Sequence, residues 1–419
     1  MGRLWPGKGH VHAACPLHAL ARDAPPRGPP ATGPGQRAEL AVPQLTWLNG
    51  RNRHRAEGQL SLSSLTGQHG VMQVRMDLRD EDGLLNKGRV WLQADDIDVK
   101  PWLGRWMQDN IALKSARFSL EGWMTIEKGD VASGDVWLKK GGASWQGDSE
   151  VHHLSVDNLT AHLSHDKQSW GFYIPDTRIA IDDKPWPSGA LAMAWIPGQD
   201  VGGDGHQRSD ELRIRASNLA LSGLSGLQPF ADKLAPSLGE LWRTTQPSGK
   251  INLLALDIPL QATEKTRFQA QWSDLAWKQW KLLPGAEHFS GSLNGSVEHG
   301  ELRARMTKAQ MPYAGVFRAP LEIAAGEATL SWVKNDKGFM LDGRDIDVQA
   351  TGVRARGGFR YLQPQGDDPW LGILAGISTN DGGQAWRYFP ENLMGKALVD
   401  YLSGAIKAGQ ARDATLVYG

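Results

Sequence analysis

The chain has 419 residues, and its 46 basic and 46 acidic side chains cancel, so there is no net charge near neutral pH. Balanced charge excludes an overall field that would draw the protein onto nucleic acid or an anionic bilayer. One cysteine excludes an internal disulfide, and no window approaches the roughly 18 apolar residues that a membrane-spanning helix needs. This length admits two or three domains or one large β architecture, and its core must rest on apolar burial alone.

Residues 1–37 are rich in proline and glycine and show no hydrophobic period. We expect this segment to be disordered or to reflect a misassigned start, with the folded region at 38–419. A secretory signal is the alternative, because basic residues precede a weakly apolar stretch at 11–21. Histidine and proline interrupt that stretch, which argues against a signal.

From Leu40 onward, short runs of alternating apolar and polar residues recur, separated by Gly, Asp or Asn, as is typical of an all-β chain. The clearest example is 114–145, which predicts a hairpin with turns at 128–130 and 133–135. One face of this hairpin is apolar, whereas the other face carries Trp123 and Trp137. The apolar face comprises Phe118, Leu120, Met124 and Ile126 on the first strand and Val136 and Leu138 on the second.

Three segments break the strand pattern and predict short amphipathic helices. The first begins at Pro101, the second lies between Leu224 and Leu241 as two short helices, and the third begins at Pro390 with a stripe of Leu398, Leu402 and Ile406. Predicted strands precede and follow each segment. We therefore predict a mainly β protein built from irregular repeats, with an antiparallel sheet and a few short amphipathic helices.

Histidines and aspartates are the candidates for metal binding or acid–base catalysis. They are His152, His153, His162 and His165, with Asp95, Asp96 and Asp98 and with Asp342, Asp345 and Asp347. Adjacent histidines on a strand point to opposite faces and do not easily share one ion, so we interpret them as solvated. The aspartate groups precede predicted strands, and we interpret them as turn residues. We therefore predict no catalytic residue, no metal site, no cofactor and no enzymatic activity.

Basic clusters and tryptophans are the remaining candidates for binding. The clusters are Arg51, Arg53 and Arg55 around His54, and Arg354 with Arg356 on one strand face. We interpret both as solvated faces, with a lipid phosphate as the alternative ligand. Indole rings suit places where one side is apolar and the other wet, so the 18 tryptophans fit rim or outer-surface positions, with ordinary packing as the alternative.

Two segments carry a resemblance to a known family. Residues 389–406, continuing through Gly409 to 414–418, resemble the YhdP branch of the AsmA-like envelope proteins. Residues 249–260 are similar to the same branch, and the likeness in character runs from about Leu40 to Gly419.

The resemblance implies a long sheet curled into a trough with an apolar groove, anchored in the inner membrane by an N-terminal helix and crossing the periplasm. The implied role is non-enzymatic phospholipid transport that supports the outer-membrane permeability barrier. The implied partners are phospholipid acyl chains and the inner- and outer-membrane surfaces or their proteins, with no nucleic acid. We expect the six apolar residues of the 114–145 hairpin to line this groove.

Two departures from the family pattern qualify the expectation. The anchor helix is replaced by residues 1–37, and the chain stops directly after a predicted strand, so we interpret it as an N-proximal fragment. A structural envelope spacer and an all-β enzyme acting on envelope glycans are the alternative functions.

Overall fold

The structure is a computed structural model, and it describes residues 39–64, 67–81, 84–100, 113–147, 150–166, 169–187, 189–198, 210–228, 236–281 and 283–419. The chain divides into two compact units, Met1–Ala194 and Trp195–Gly419. None of the helices in the described ranges is long and apolar enough to span a membrane.

The first unit consists of long antiparallel strands followed by four short ones, the last of which crosses the unit boundary. The long strands are β1 (Glu39–Asn49), β2 (Arg53–Ser64), β3 (Gly67–Glu81), β4 (Leu84–Asp98), β5 (Leu113–Glu127), β6 (Asp130–Gln146) and β7 (Val151–Asp166). The short strands are β8 (Ser169–Ile174), β9 (Ile179–Ile181), β10 (Lys184–Pro185) and β11 (Leu191–Ile196). Each strand from β1 to β7 pairs with the next, and β7 then pairs with both β8 and β9.

The second unit is a succession of ten antiparallel strands, each paired with the next along the chain. They are β12 (Glu211–Ala220), β13 (Ser248–Pro259), β14 (Arg267–Trp277), β15 (Ala286–Ser296), β16 (His299–Met311), β17 (Leu321–Asn335), β18 (Gly338–Ala350), β19 (Val353–Pro364), β20 (Trp370–Thr379) and β21 (Ala411–Tyr418).

Helices interrupt this second unit twice. The 3-10 helix Leu221–Leu227 and α1 (Pro236–Thr245) connect β12 to β13, and a 3-10 turn at Thr263–Lys265 precedes β14. The 3-10 helix Gly382–Tyr388, α2 (Glu391–Met394) and α3 (Lys396–Ala405) connect β20 to β21. Alternate strands of an antiparallel sheet run in the same direction. Both helical connections, which follow β12 and β20, therefore lie at the same end of the strands in the second unit.

The mainly β, antiparallel fold class is therefore confirmed, as are helices in the 224–241 region and after Pro390. The helix predicted at Pro101 lies outside the described residues, as do residues 1–37. The predicted stripe on α3 is only partly right, because Leu398 and Ile406 are exposed whereas Val399 is completely buried. The buried side of α3 is thus centred one position away from the predicted stripe.

The turn predicted at 133–135 is wrong. These residues lie inside β6, where Gly134 is buried and faces Met124 of β5. Because Gly134 has no side chain, the long Met124 side chain fits beside it and the strand continues. The only turn between β5 and β6 is at Lys128–Gly129, where both residues have positive φ.

Two clusters of buried side chains mark the core of the first unit. One comprises Val156, Leu159, Ala161 and Ile174, and the other comprises Leu62, Ala94 and Ile97. Between them lie the half-buried apolar side chains of β5 and β6.

Candidate functional site

The first unit has a sheet face on which apolar side chains line up across strands. Residues that are paired across neighbouring strands project on the same side of a sheet, so the pairing register defines rows. One such row contains no polar side chain: Leu60, Met72, Ala94, Leu120, Leu138 and Leu159 on β2 to β7. We call the side of the first unit that carries this row its apolar face.

All six apolar residues singled out in the sequence lie on this face. Leu120 is paired with Leu138, Val136 with Gly122, and Met124 with Gly134. Each of the six side chains is half-buried, neither enclosed as in a core nor fully exposed. Their lining of a groove stays a prediction.

The six predicted lining residues do not all pack against the same buried cluster. Phe118 and Leu138 pack against the buried cluster around Val156 and Leu159. Leu120 packs against the cluster around Ala94 and Ile97 instead. Each buried cluster thus supports one end of the row of half-buried side chains.

The second unit repeats the arrangement over all ten strands. One row runs Ala216, Leu254, Ala270, Leu293, Leu302, Leu330, Gly343, Phe359, Ile373 and Tyr418. No charged side chain occurs in this row, and most members are half-buried. We call this side the apolar face of the second unit. The sequence reasoning predicted these strands but named no lining residue here, although the same alternation was available as a signal.

The opposite face of each unit carries ion pairs. On the first unit, Arg53 pairs with Asp77 and Arg117 pairs with Asp96, with 2.6 Å between the guanidinium and the carboxylate. Exposed pairs of this kind contribute little to stability because solvent screens them. Their effect is to keep one side of the sheet polar.

The interpretation of the aspartates as turn residues is wrong. Asp95, Asp96 and Asp98 lie within β4, and Asp342, Asp345 and Asp347 lie within β18. Asp96 and Asp345 sit at irregularities of strand pairing, both with positive φ. Arginines on the next strand then hold Asp96, Asp342 and Asp347. The hydrogen bond from Arg117 lowers the pKa of Asp96, and the bond from Arg360 lowers that of Asp342, so both carboxylates favour the charged form.

Both arginines of the Arg354 and Arg356 pair contact Asp347, at 2.7 and 2.9 Å. The hydrogen bond from Arg354 is the main cause that lowers the pKa of Asp347 to about 2, while desolvation opposes it. These arginines therefore share one carboxylate within their own sheet, which offsets one of their two positive charges. The prediction of a solvated face fits their exposure, with roughly half of each side chain accessible.

This carboxylate gives a pH prediction. Its folded pKa lies below the unfolded value of about 3.9, so the stability it contributes is present above about pH 4 and is lost as the pH falls towards 2. We expect Asp347→Asn to lower stability at pH 5 by about 1 kcal/mol or less. Thermal melts of both proteins between pH 5 and pH 2 should converge at the acid end, and a constant difference would contradict the assignment.

The four candidate histidines all lie on β7. His152 contacts Asp182 at 2.9 Å, His162 contacts Asp135 at 2.5 Å, and His165 stacks on Trp170. Throughout the described ranges, no three metal-ligating side chains come together.

Tryptophans on the polar face of the first unit occupy both exposed and buried positions. Trp123 and Trp137 lie on the polar face with 51% and 44% of their surface exposed, as the alternation predicted. Trp91 on the same face is buried, covered by the Arg75 guanidinium and hydrogen-bonded to Glu121. The outer-surface and ordinary-packing interpretations therefore each hold for some of the rings.

Each unit is an antiparallel meander with one apolar, half-buried face and one ion-paired face. These features place the chain among all-β proteins whose open sheet leaves an apolar surface accessible. The family model described as "YhdP protein" matches residues 23–419 of this chain. The chain belongs to the YhdP family, as the two resembling segments indicated.

A curated relative is the "Intermembrane phospholipid transporter YhdP" of Escherichia coli (strain K12), to which the chain is 75% identical over 388 residues. The alignment covers 93% of this chain, which spans only 31% of the length of that relative. No solved structure matches the chain.

Proposed function

We propose that this chain forms part of a phospholipid carrier that spans the space between the inner and outer membranes of an envelope. The apolar face of each unit is the surface on which acyl chains lie. Phe118, Leu120, Met124, Ile126, Val136 and Leu138 are the proposed lining in the first unit. The role is non-enzymatic and needs no cofactor, and its partners are phospholipid and the two membrane surfaces or their proteins.

One observation carries the proposal: apolar side chains continue across neighbouring strands yet remain half-buried. A sheet that packs against a second layer encloses its apolar side chains, whereas these keep accessible surface on Leu120, Met124 and Val136. Soluble proteins rarely leave a continuous apolar surface uncovered unless it binds something.

The chemistry of a phospholipid suits such a surface. Each methylene that leaves water for an apolar contact contributes about 0.8 kcal/mol, so an acyl chain gains affinity along its whole length. No directional contact is required, and the chain can therefore slide from one row of side chains to the next. The headgroup remains in water beside the sheet.

The name of the 75% identical relative supports the same assignment, since it is called an intermembrane phospholipid transporter. A periplasmic location with an inner-membrane anchor is part of our proposal.

A structural spacer is the second candidate, and the two buried clusters of the first unit favour it. Around Ala94, Ile97, Val156 and Leu159 the apolar face is closed by protein side chains. A spacer would extend such closure over the whole face, whereas a carrier needs the half-buried rows between the clusters to accept ligand.

Lipid analysis of the purified 419-residue chain separates the two. We expect native mass spectrometry and lipid extraction to find diacyl phospholipid bound to folded protein purified from a bacterial envelope. A folded preparation that neither retains lipid nor takes it up from phosphatidylethanolamine–phosphatidylglycerol vesicles would contradict the carrier and favour the spacer.

A further inference from the structure

Aromatic rings lean across neighbouring strands on the apolar face of the second unit. Phe268 is on β14 and Trp332 is on β17, so three strand spacings, about 14 Å, separate their backbones. Their ring centroids are nevertheless only 6.3 Å apart, with planes inclined by 20°. The two rings must therefore lean towards each other over the intervening strands, where Gly295 and Gly300 occupy the same row.

Phe359 on β19 makes a simpler example of the same arrangement. It is paired with Gly343 of β18, which is buried although it has no side chain. A Cβ atom built on Gly343 would lie less than 3.0 Å from three carbon atoms of the Phe359 ring, and these are its three nearest atoms. The ring thus occupies the volume in which a side chain of residue 343 would stand.

Backbone geometry does not explain the glycine at position 343. Gly338 begins β18 and Gly352 lies in the turn that follows it, and both have a positive φ. Gly343, in the middle of β18, does not. At Gly300 a backbone oxygen, that of Asn294, also lies within 3.0 Å of the built Cβ, so two constraints act there. At Gly343, by contrast, the three nearest atoms all belong to the Phe359 ring, so the ring is the first obstacle that a side chain would meet.

The orientation of the ring sets the height of the surface. Side chains on a strand ordinarily stand roughly perpendicular to the sheet, and a ring in that position would project from the face. A ring that leans over a glycine projects less far from the face than an upright one. The Phe359 ring leans over Gly343, so it offers apolar contact area without standing upright between Leu330 and Ile373, which flank Gly343 and Phe359 in the row.

We propose that Gly343 and Phe359 are positioning residues for lipid passage, because the glycine allows the ring to lean over β18 beneath a moving acyl chain. This inference rests on the proposed carrier function and adds that chains cross the second unit's apolar face at this point. Trp332 of β17, which lies over Gly300 of β16, has the same role two strands earlier in the sheet.

The test uses the full chain and vesicles of phosphatidylethanolamine and phosphatidylglycerol that contain phosphatidylethanolamine with a diazirine on one acyl chain. After photolysis, mass spectrometry of peptides from β17 to β20 measures lipid attached at this position. Gly343→Ala should lift the ring, because the contacting atoms belong to a side chain that can rotate. We expect labelling of these peptides to fall at least threefold while the β-type circular dichroism spectrum persists.

Two further variants make the result specific. Gly343→Ala combined with Phe359→Leu removes the lifted ring and should restore labelling. Gly376→Ala is the matched control, because Gly376 is an exposed strand glycine on the opposite face, where a Cβ would meet only the Arg356 carbonyl oxygen, at 3.8 Å. Its labelling should equal that of the wild type.

Unchanged labelling in Gly343→Ala, or a loss that Phe359→Leu does not restore, would overturn the proposal. If Gly343→Ala does not fold, the double variant decides: a folded, labelled double variant supports the ring as the obstacle, and an unfolded one overturns it. Failure of the wild type to be labelled anywhere would instead count against the carrier function itself.

Discussion

Replacing Leu120 with Asp is expected to leave the protein folded but to remove lipid from the middle of the first unit's apolar face. Leu120 lies between Ala94 and Leu138 in the register and is half-buried, so a carboxylate there can still reach water when no ligand is bound. An acyl chain crossing this point would cover an unpaired charge, which costs several kcal/mol. Each 1.4 kcal/mol corresponds to about a tenfold change in affinity, so local occupancy should fall more than tenfold.

Ser133→Asp is the matched control, because Ser133 is exposed on the polar face of the adjacent strand, paired with Thr125. Photolabelling of β5 and β6 peptides with the diazirine lipid, beside melting temperature, provides the measurement. Equal labelling of both folded variants would refute the assignment of the groove. Unfolding of Leu120→Asp alone would instead indicate a closed core and favour the spacer.

Trp145→Ala is expected to cause the largest loss of stability in the first unit. The Trp145 residue is only 1% exposed. It lies on β6, where it is paired with Leu113 of β5 and His152 of β7. The centres of the Trp145 and His152 rings are 6.0 Å apart. Truncating a buried tryptophan removes its packing and leaves a cavity, at a cost of about 3–5 kcal/mol. Urea denaturation followed by circular dichroism should show the first unit unfolding at a much lower midpoint.

Trp123→Ala provides the comparison, since half of that ring is exposed on the polar face of β5. We expect it to cost less than about 1 kcal/mol. Equal destabilisation by the two substitutions would show that burial does not decide the effect. Lipid binding by Trp145→Ala is not a useful readout, because a partly unfolded sheet loses its face altogether.

Local periodicity explains what could be predicted from the sequence. The alternation in β5 and the apolar stripes around α1 and α3 depend on residues close in the chain, and those elements formed where expected. The same holds for the face shared by Leu120 and Leu138, because a hairpin fixes its own register. The family resemblance added the expectation of a groove and of a phospholipid ligand, which periodicity cannot supply.

Contacts between strands explain what could not be predicted. Asp96 departs from regular strand geometry at an irregularity in the pairing with β5, where Arg117 hydrogen-bonds to it, and nothing near Asp96 in the sequence indicates that partner. The Phe359 ring lies over Gly343 because pairing of β18 with β19 brings them together. A glycine within a strand pattern predicts a turn or bulge, as it did at Gly134. Only the side chain of the neighbouring strand shows why the strand continues there.

Strictly sequential pairing in the second unit has a consequence for biogenesis. Each strand from β12 to β21 pairs with the one before it, so no strand depends on a partner that is distant in the sequence. The entropy cost of loop closure therefore arises in small steps, one connection at a time. The polypeptide can thus complete its sheet in the order in which the strands are synthesised. The newest strand always offers unpaired backbone groups to its successor, so a stalled chain exposes the edge of its last strand rather than an unfolded domain.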